Sequence, residues 1–270
     1  MAARFALGVE YDGNDFCGWQ SQDCGCGAQD ALQTALSAIA DSPIKVWAAG
    51  RTDAGVHATA QTVHFNSAAV RQPSAWLHGA NALLPSGMAV LWLKRIAVDF
   101  HARYSATRRH YQYILLNRGV RSAFGRVGFF HAPLNVGKMR AAALRLVGEH
   151  DFSAFRAAAC QAKNPERHLF WAEVSAIGNF VIFDFCANGF LQHMARNIVG
   201  ALLYVGRGKH PPMWMGELLS AREHRQSVPP AAADGLYFVG VDYPSRFALP
   251  STYRPLGHKS DIFPTSCLMD

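Results

Sequence analysis

Arg51, Thr52 and Asp53 stand together in the stretch AAGRTDAGVHA, residues 48–58, between small apolar residues and two glycines. An arginine beside an aspartate orients the carboxylate and keeps it ionised, and such a carboxylate is a competent nucleophile or general base. Gly50 and Gly55 permit backbone conformations that a Cβ resists, and Thr and Asp are common turn formers. From these residues alone two readings stay open. One is a loop held by an Asp side chain bonding its own backbone. The other is a ligand site at the end of a sheet, with Arg51 and Asp53 as an ion pair. His57 and His64 suggest a third, a metal-dependent hydrolase using Asp53, but no Cys or third His shares a face with them.

The elements that must carry this loop follow from periodicity. Residues 44–49 and 61–65 read as the strands on either side of it, and 4–11 as an earlier strand. Ala28, Leu32, Ala35, Leu36 and Ile39 recur at helical spacing over 28–40. Pro73 opens a second helix, and 88–98 is a further strand. The later part of the chain resembles this order. Strand 109–116, helix 136–147, a hairpin of 168–177 and 180–187 turning at Gly178-Asn179, helix 191–205 and strand 236–242 follow one another. The fold class is α/β (α+β): two related mixed halves, 1–105 and 106–270, with antiparallel sheets around a central basic cleft. The segment after Tyr243, rich in Pro and Ser, reads as running over the surface.

Half of the 270 residues are hydrophobic and 17% are charged, which supports a core and argues against disorder. No apolar run is long enough to cross a membrane, and no signal-peptide pattern opens the chain, so a cytoplasmic protein is expected. Six cysteines in such a chain are expected to be free thiols. The net charge of +7 is uneven: residues 94–145 hold 11 Lys and Arg against one acid, Asp99. A basic block interleaved with aromatics suits a polyanionic partner such as a nucleic acid.

Five collinear stretches resemble the TruA family of tRNA pseudouridine synthases: YDGNDFCGWQ (11–20), AAGRTDAGVHA (48–58), DFHARYSATRRHYQY (99–113), NGFLQHMARNIVG (188–200) and DGLYFVGVDYP (234–244). The resemblance covers the whole chain. It implies an isomerase that converts uridine to pseudouridine at positions 38 to 40 of the anticodon stem-loop of tRNAs. It implies no cofactor, no metal and no nucleotide, and a homodimer with tRNA spanning both subunits. Asp53 matches the family's nucleophile, Arg196 the late-helix Arg that pairs with it, and Tyr111 the ring against the target uracil. Arg51 would hold or help flip the displaced base.

The residues themselves weigh on each assignment. Leu191, Met194, Ile198, Ala201, Leu202 and Val205 share a helix face, and Arg196 points away from it. Such an arginine is solvated or faces a cleft. Tyr111 alone would also suit a strand core. Arg103, Arg108 and Arg109, with Arg118, Arg121 and Arg126, are candidates for phosphate contacts, which position RNA without specifying a base. A non-catalytic RNA-binding protein remains the competing reading, although a carboxylate facing RNA phosphates serves it poorly. The Cys- and Gly-rich stretch SQDCGCGAQDALQ departs from the polar or basic residues relatives tend to have there, which leaves the choice of uridine the least fixed expectation.

Overall fold

Alternation in RFALGVEY sends Phe5, Leu7, Val9 and Tyr11 to one side of the first strand and Ala6 to the other, into separate apolar clusters. In the computed structural model, which describes residues 2–123, 126–221, 229–250 and 252–256, this strand is β1 (Ala3–Tyr11). The first half continues with α1 (Ala28–Ala40), β2 (Val46–Ala48), β3 (His57–Ser67), α2 (Pro73–Leu83) and β4 (Met88–Ile96). The second half adds β5 (Arg108–Asn117), β6 (Gly128–Phe130), α3 (Val136–Ala143), β7 (Gly148–Asp151), β8 (Glu166–Ile177) and β9 (Phe180–Ala187). It closes with α4 (Met194–Gly206), α5 (Trp214–Ala221) and β10 (Leu236–Asp242).

All ten strands form one sheet in the order β4-β1-β3-β10-β5-β9-β8-β7, with β2 on β3 and β6 on β5. The halves therefore merge edge to edge, mostly antiparallel, and the strand that joins them comes last in the chain. Phe238 of β10 lies beside Ala58 of β3 on one edge and Tyr111 of β5 on the other. Further along the same edge of β3, β2 takes the place of β10, from Val46 opposite Phe65 to Ala48 opposite Val63. The sheet consequently opens between β2 and β5. Leu32, Leu36, Trp76, Met139, Ile198, Leu202 and Leu218 of the five helices share a single apolar core with the strands.

Most of the expected elements form. Helix 28–40 and strand 236–242 have the bounds that periodicity indicates, Pro73 opens α2, and Gly178 turns the hairpin at φ 56°. Helix α4 starts at Met194 rather than 191, and α3 tightens after Ala143 into a 3₁₀ turn, Leu144–Leu146.

Two expectations are corrected. The segment after Tyr243 is not merely superficial: Phe247 is buried against Phe100, and Tyr253 bridges to Gly240. The cysteines are not all free, since Cys17 and Cys26 form a disulfide with Cα atoms 5.4 Å apart. The backbone brings them together, because Cys17 N–H donates to the Cys26 carbonyl at 3.0 Å around a turn at Gly25, φ 70°. Cys24, Cys160 and Cys186 are free, and Cys267 lies outside the described residues. No helix among the described residues is long and apolar enough to cross a membrane.

Candidate active site

Where the sheet opens between β2 and β5 lies a cleft of about 1490 Å³, larger than the roughly 300–1,000 Å³ of a small-molecule pocket. Asp53 lines it, on the loop between β2 and β3. Neutral groups hold this loop. The side-chain amide of Gln61, fully buried on β3, donates to the Gly50 carbonyl at 2.8 Å and accepts from Gly50 N–H at 3.4 Å. Thr52 is buried, its hydroxyl 2.8 Å from that of Tyr11, and its carbonyl accepts from Trp19 N–H at 3.0 Å. Burial pushes the Tyr11 hydroxyl up to about 12, so it stays protonated and can donate. The two glycines act differently. Gly55 sits at φ 77°, where a side chain is strained, while at Gly50 a Cβ would come within 3.2 Å of the Phe238 ring.

Asp53 meets an arginine and a histidine from the opposite wall. Its Oδ2 lies 3.7 Å from Arg196 Nη1 and 3.5 Å from His193 Nε2. Neither distance is a close hydrogen bond, so the carboxylate keeps lone pairs open to the cleft. Arg196 is anchored through its Nε–H, which donates to the Ala231 carbonyl at 2.8 Å, while Ala231 N–H donates back to the Arg196 carbonyl at 3.0 Å. The arginine opposite the apolar stripe of α4 thus reaches toward Asp53 from behind the cleft lining. Arg51, expected to pair with Asp53, does not reach it: it is exposed on the cleft wall, and the basic side chains that meet the Asp53 carboxylate among the described residues are Arg196 and His193.

Tyr111 is buried in the cleft floor between Phe190 and Phe238, with ring centroids 4.7 Å and 5.2 Å away and both rings edge-on. Burial first, then the charges of Tyr11 and Asp53, raise its hydroxyl above the usual phenol range. It presents a neutral ring and a proton donor.

The two adjacent arginines of β5 part company, because neighbouring strand residues face opposite sides of a sheet. Arg109 points into the cleft, but backbone carbonyls occupy its guanidinium: Ala106 at 3.1 Å, Asn188 at 2.8 Å, Ala49 at 3.4 Å, and Arg103. Burial lowers its pKa from the usual arginine range. Arg109 is a clamp across the opening between β2, β5 and β9. Arg108 faces the other side, its guanidinium carbon 4.4 Å from the Phe170 ring centroid. Arg103 lines the cleft.

The rest of the basic block disperses. Arg126 pairs with Asp12 at 2.7 Å, and Arg118 donates to the Val120 and Arg121 carbonyls, while Arg121 is exposed away from the cleft lining. His57 and His64 do not converge with Asp53 either. His57 lies 3.0 Å from Asp12, and His64 accepts from Ala102 N–H at 3.1 Å. Charge nonetheless collects in the cleft: Lys45, Arg51 and Arg167 from outside the block join Arg103 and Arg109 in its lining, against the single acid Asp53.

His193, Gln61 and Thr52 were not assigned roles from sequence. His193 had a legible signal, since it precedes Arg196 by three residues and such pairs share a helix face. It caps α4 at φ 62°, a conformation unusual outside glycine. Gln61 and Thr52 had none, because their roles depend on the backbone of other segments.

Comparison with known proteins bears on the chain as a whole. A family model described as tRNA pseudouridine synthase matches residues 8–105 and 142–244. The tRNA pseudouridine synthase A of Methylobacillus flagellatus is 52% identical over 94% of this chain and 98% of its own length. That of Dechloromonas aromatica is 52% identical over 92% of this chain and 95% of its own, and that of Thiobacillus denitrificans 50% over 92% and 96%. With a model match across most of its length and near full-length relatives at half identity, this chain belongs to the tRNA pseudouridine synthase family.

Proposed function

We propose that this protein isomerises uridine to pseudouridine in the anticodon stem-loop of tRNAs, at positions 38 to 40, with Asp53 as the nucleophile. The observation that carries the reading is the meeting of Asp53 with Arg196 and His193 at 3.7 and 3.5 Å in a cleft whose other charged lining groups are cations. A polyanion enters such a cleft readily, and a lone carboxylate within it has a chemical rather than a binding use.

The base must leave C1′ of the ribose, turn, and rejoin through C5, with the C5 hydrogen expelled. Asp53 either adds covalently to the substrate or stabilises positive charge on the sugar while the base is detached. Arg196 offsets the charge of the half-buried Asp53 and aims it. A target base inside a paired stem must first be flipped out, and the ring of Tyr111 on the cleft floor gives it a flat apolar partner. Arg51 and Arg103, exposed on the wall, are suited to phosphates or the displaced base. Residues 1–105 and 106–270 act as two units whose boundary supplies the cleft, and the protein works as a cytoplasmic homodimer.

The test is release of tritium from tRNA labelled at C5 of uridine, with wild type and Asp53→Ala side by side. Wild type releases tritium and Asp53→Ala loses at least about 10⁴-fold while still binding tRNA. Comparable release by the variant would remove Asp53 from its role. No release by wild type from an unmodified tRNA pool would favour the binding-only reading, and sequencing of the product locates the uridine.

A further inference from the structure

We infer that the segment 98–106 and strand β2 form a second base-binding subsite beside Asp53, a stacking platform that takes an unpaired nucleobase flanking the flipped uridine. The inference rests on the proposed tRNA substrate. Its starting point is Tyr104, 77% exposed, the most exposed aromatic side chain among the described residues, which lines the same cleft as Asp53.

Tyr104 is the outer member of a ladder of four rings. Its centroid lies 4.4 Å from that of His101, His101 lies 4.5 Å from His64, and His64 stacks on Trp47 at 5.1 Å and 19°. Trp47, His101 and Tyr104 line the cleft, and a cation attends each end: Lys45 Nζ is 5.8 Å from the Trp47 centroid and Arg103 is 5.7 Å from that of Tyr104. Aromatic faces interleaved with cations are the chemistry by which single-stranded nucleic acid is held, the rings taking bases and the cations the backbone.

The platform is built before any ligand arrives. Arg4 donates to the Val98 carbonyl and, at 2.7 Å, to that of Phe100, and Phe100 is fully buried. Tyr243 donates to the Ala102 carbonyl at 2.7 Å. His101 N–H donates to the Ser105 hydroxyl at 2.9 Å, and the backbone N–H groups of Arg103 and Tyr104 donate to His101 Nδ1 at 3.1 and 3.3 Å. A ring this exposed, on a segment this firmly tied, contributes little to the core and is presented outward. Trp47 precedes Asp53 by six residues, so the β2 end of the ladder lies within about 20 Å of the nucleophile. That reach fits a base close to the target in the same loop, not a distant arm of the tRNA.

The experiment measures tritium release from C5-labelled unmodified tRNA transcript, and transcript binding, for wild type, Tyr104→Phe, Tyr104→Leu and Tyr104→Ala. Loss of one stacked base is worth about 5- to 150-fold in affinity. Leu, which keeps apolar bulk without a π face, and Ala raise KM and Kd within that range with kcat changed less than about threefold. Phe restores most of the affinity. Wild-type behaviour of Tyr104→Leu, or equal losses in Phe and Leu, overturns the platform while leaving the isomerase reading intact. No tritium release by wild type overturns the isomerase reading and the platform with it.

Discussion

In the wall of the cleft that carries Asp53, position is secured by neutral groups: the Gln61 amide on Gly50, the Tyr11 hydroxyl on Thr52, and the Trp19 N–H on the Thr52 carbonyl. The facing wall is built from cations. Arg109 donates to four carbonyls of three segments, and Arg196 spends its Nε–H on Ala231 while its Nη1 turns to Asp53. The contrast separates two tasks. Neutral hydrogen bonds place the Asp53 carboxylate without competing for its charge. Cations opposite it favour that charge, and how many donors each has left decides whether it serves substrate or scaffold. Arg109 has been taken by the scaffold, and Arg196 is shared.

The largest expected effect tests the division directly. Arg196→Ala leaves Asp53 without its fixed cation and lowers kcat about 10²- to 10³-fold, with tRNA affinity changed far less. Arg196→Lys recovers little, because a lysine cannot hold both Ala231 and Asp53. Turnover within tenfold of wild type, measured by tritium release, would dissolve the distinction between the walls. Arg109→Ala removes a clamp, not a ligand. It destabilises the fold by about 1–3 kcal/mol in denaturant titrations, since four backbone carbonyls, two of them partly buried, lose a shared charged donor together. A stable Arg109→Ala with weakened tRNA binding would return this residue to the substrate.

Next comes pH. His64, behind the Asp53 wall, is held down to about 3, chiefly by burial and then by His101 and Arg4. An unfolded chain binds this proton near pH 6.5. On acidification the unfolded state therefore gains protons first, and stability falls from about pH 6.5 down to the folded value. Between pH 7 and 5 His64 alone costs about 2 kcal/mol. Thermal midpoints should fall over that range, and fall less in His64→Gln; parallel curves for the two proteins would contradict it. The smallest effect belongs to Arg108→Ala, on the side of the sheet away from the cleft. Stability changes by about 0.5 kcal/mol and turnover by less than about twofold. A marked loss of tRNA affinity there would mean that RNA also wraps the back of the sheet.

What could be read from sequence divides along physical lines. Helix α1 and strand β10 were legible because each has a long apolar period and a clean stop. The three- and four-residue strands β6 and β7 have too few positions to show a period, and α5 follows Pro211-Pro212 with barely two turns. In the site, Arg196 was legible through the family resemblance, while the helix wheel alone left it either solvated or facing a cleft. Arg108 and Arg109 looked alike in a basic run, and only strand alternation within the assembled sheet sorts them. The ion pair of Arg51 with Asp53 was the reasonable local expectation, yet the partner came from 143 residues further along the chain. Local charge proximity is cheap to read, whereas the carbonyls that consume a guanidinium, or the segment that brings an arginine home, are properties of the fold.

The position of β10 has a consequence for how the molecule comes into being. Its residues, Leu236–Asp242, fill the space between β3 and β5, and the preceding segment supplies Ala231, the anchor of Arg196. A ribosome that has finished residue 105 must add roughly 140 more before that strand can be laid down, about 7–30 s at 5–20 residues per second. Through that interval β3 presents a bare edge where β10 will lie, and Arg196 lacks the Ala231 carbonyl that anchors it toward Asp53. The first half alone thus carries Asp53 beside an open strand edge, and the site is complete only when the last strand closes the sheet.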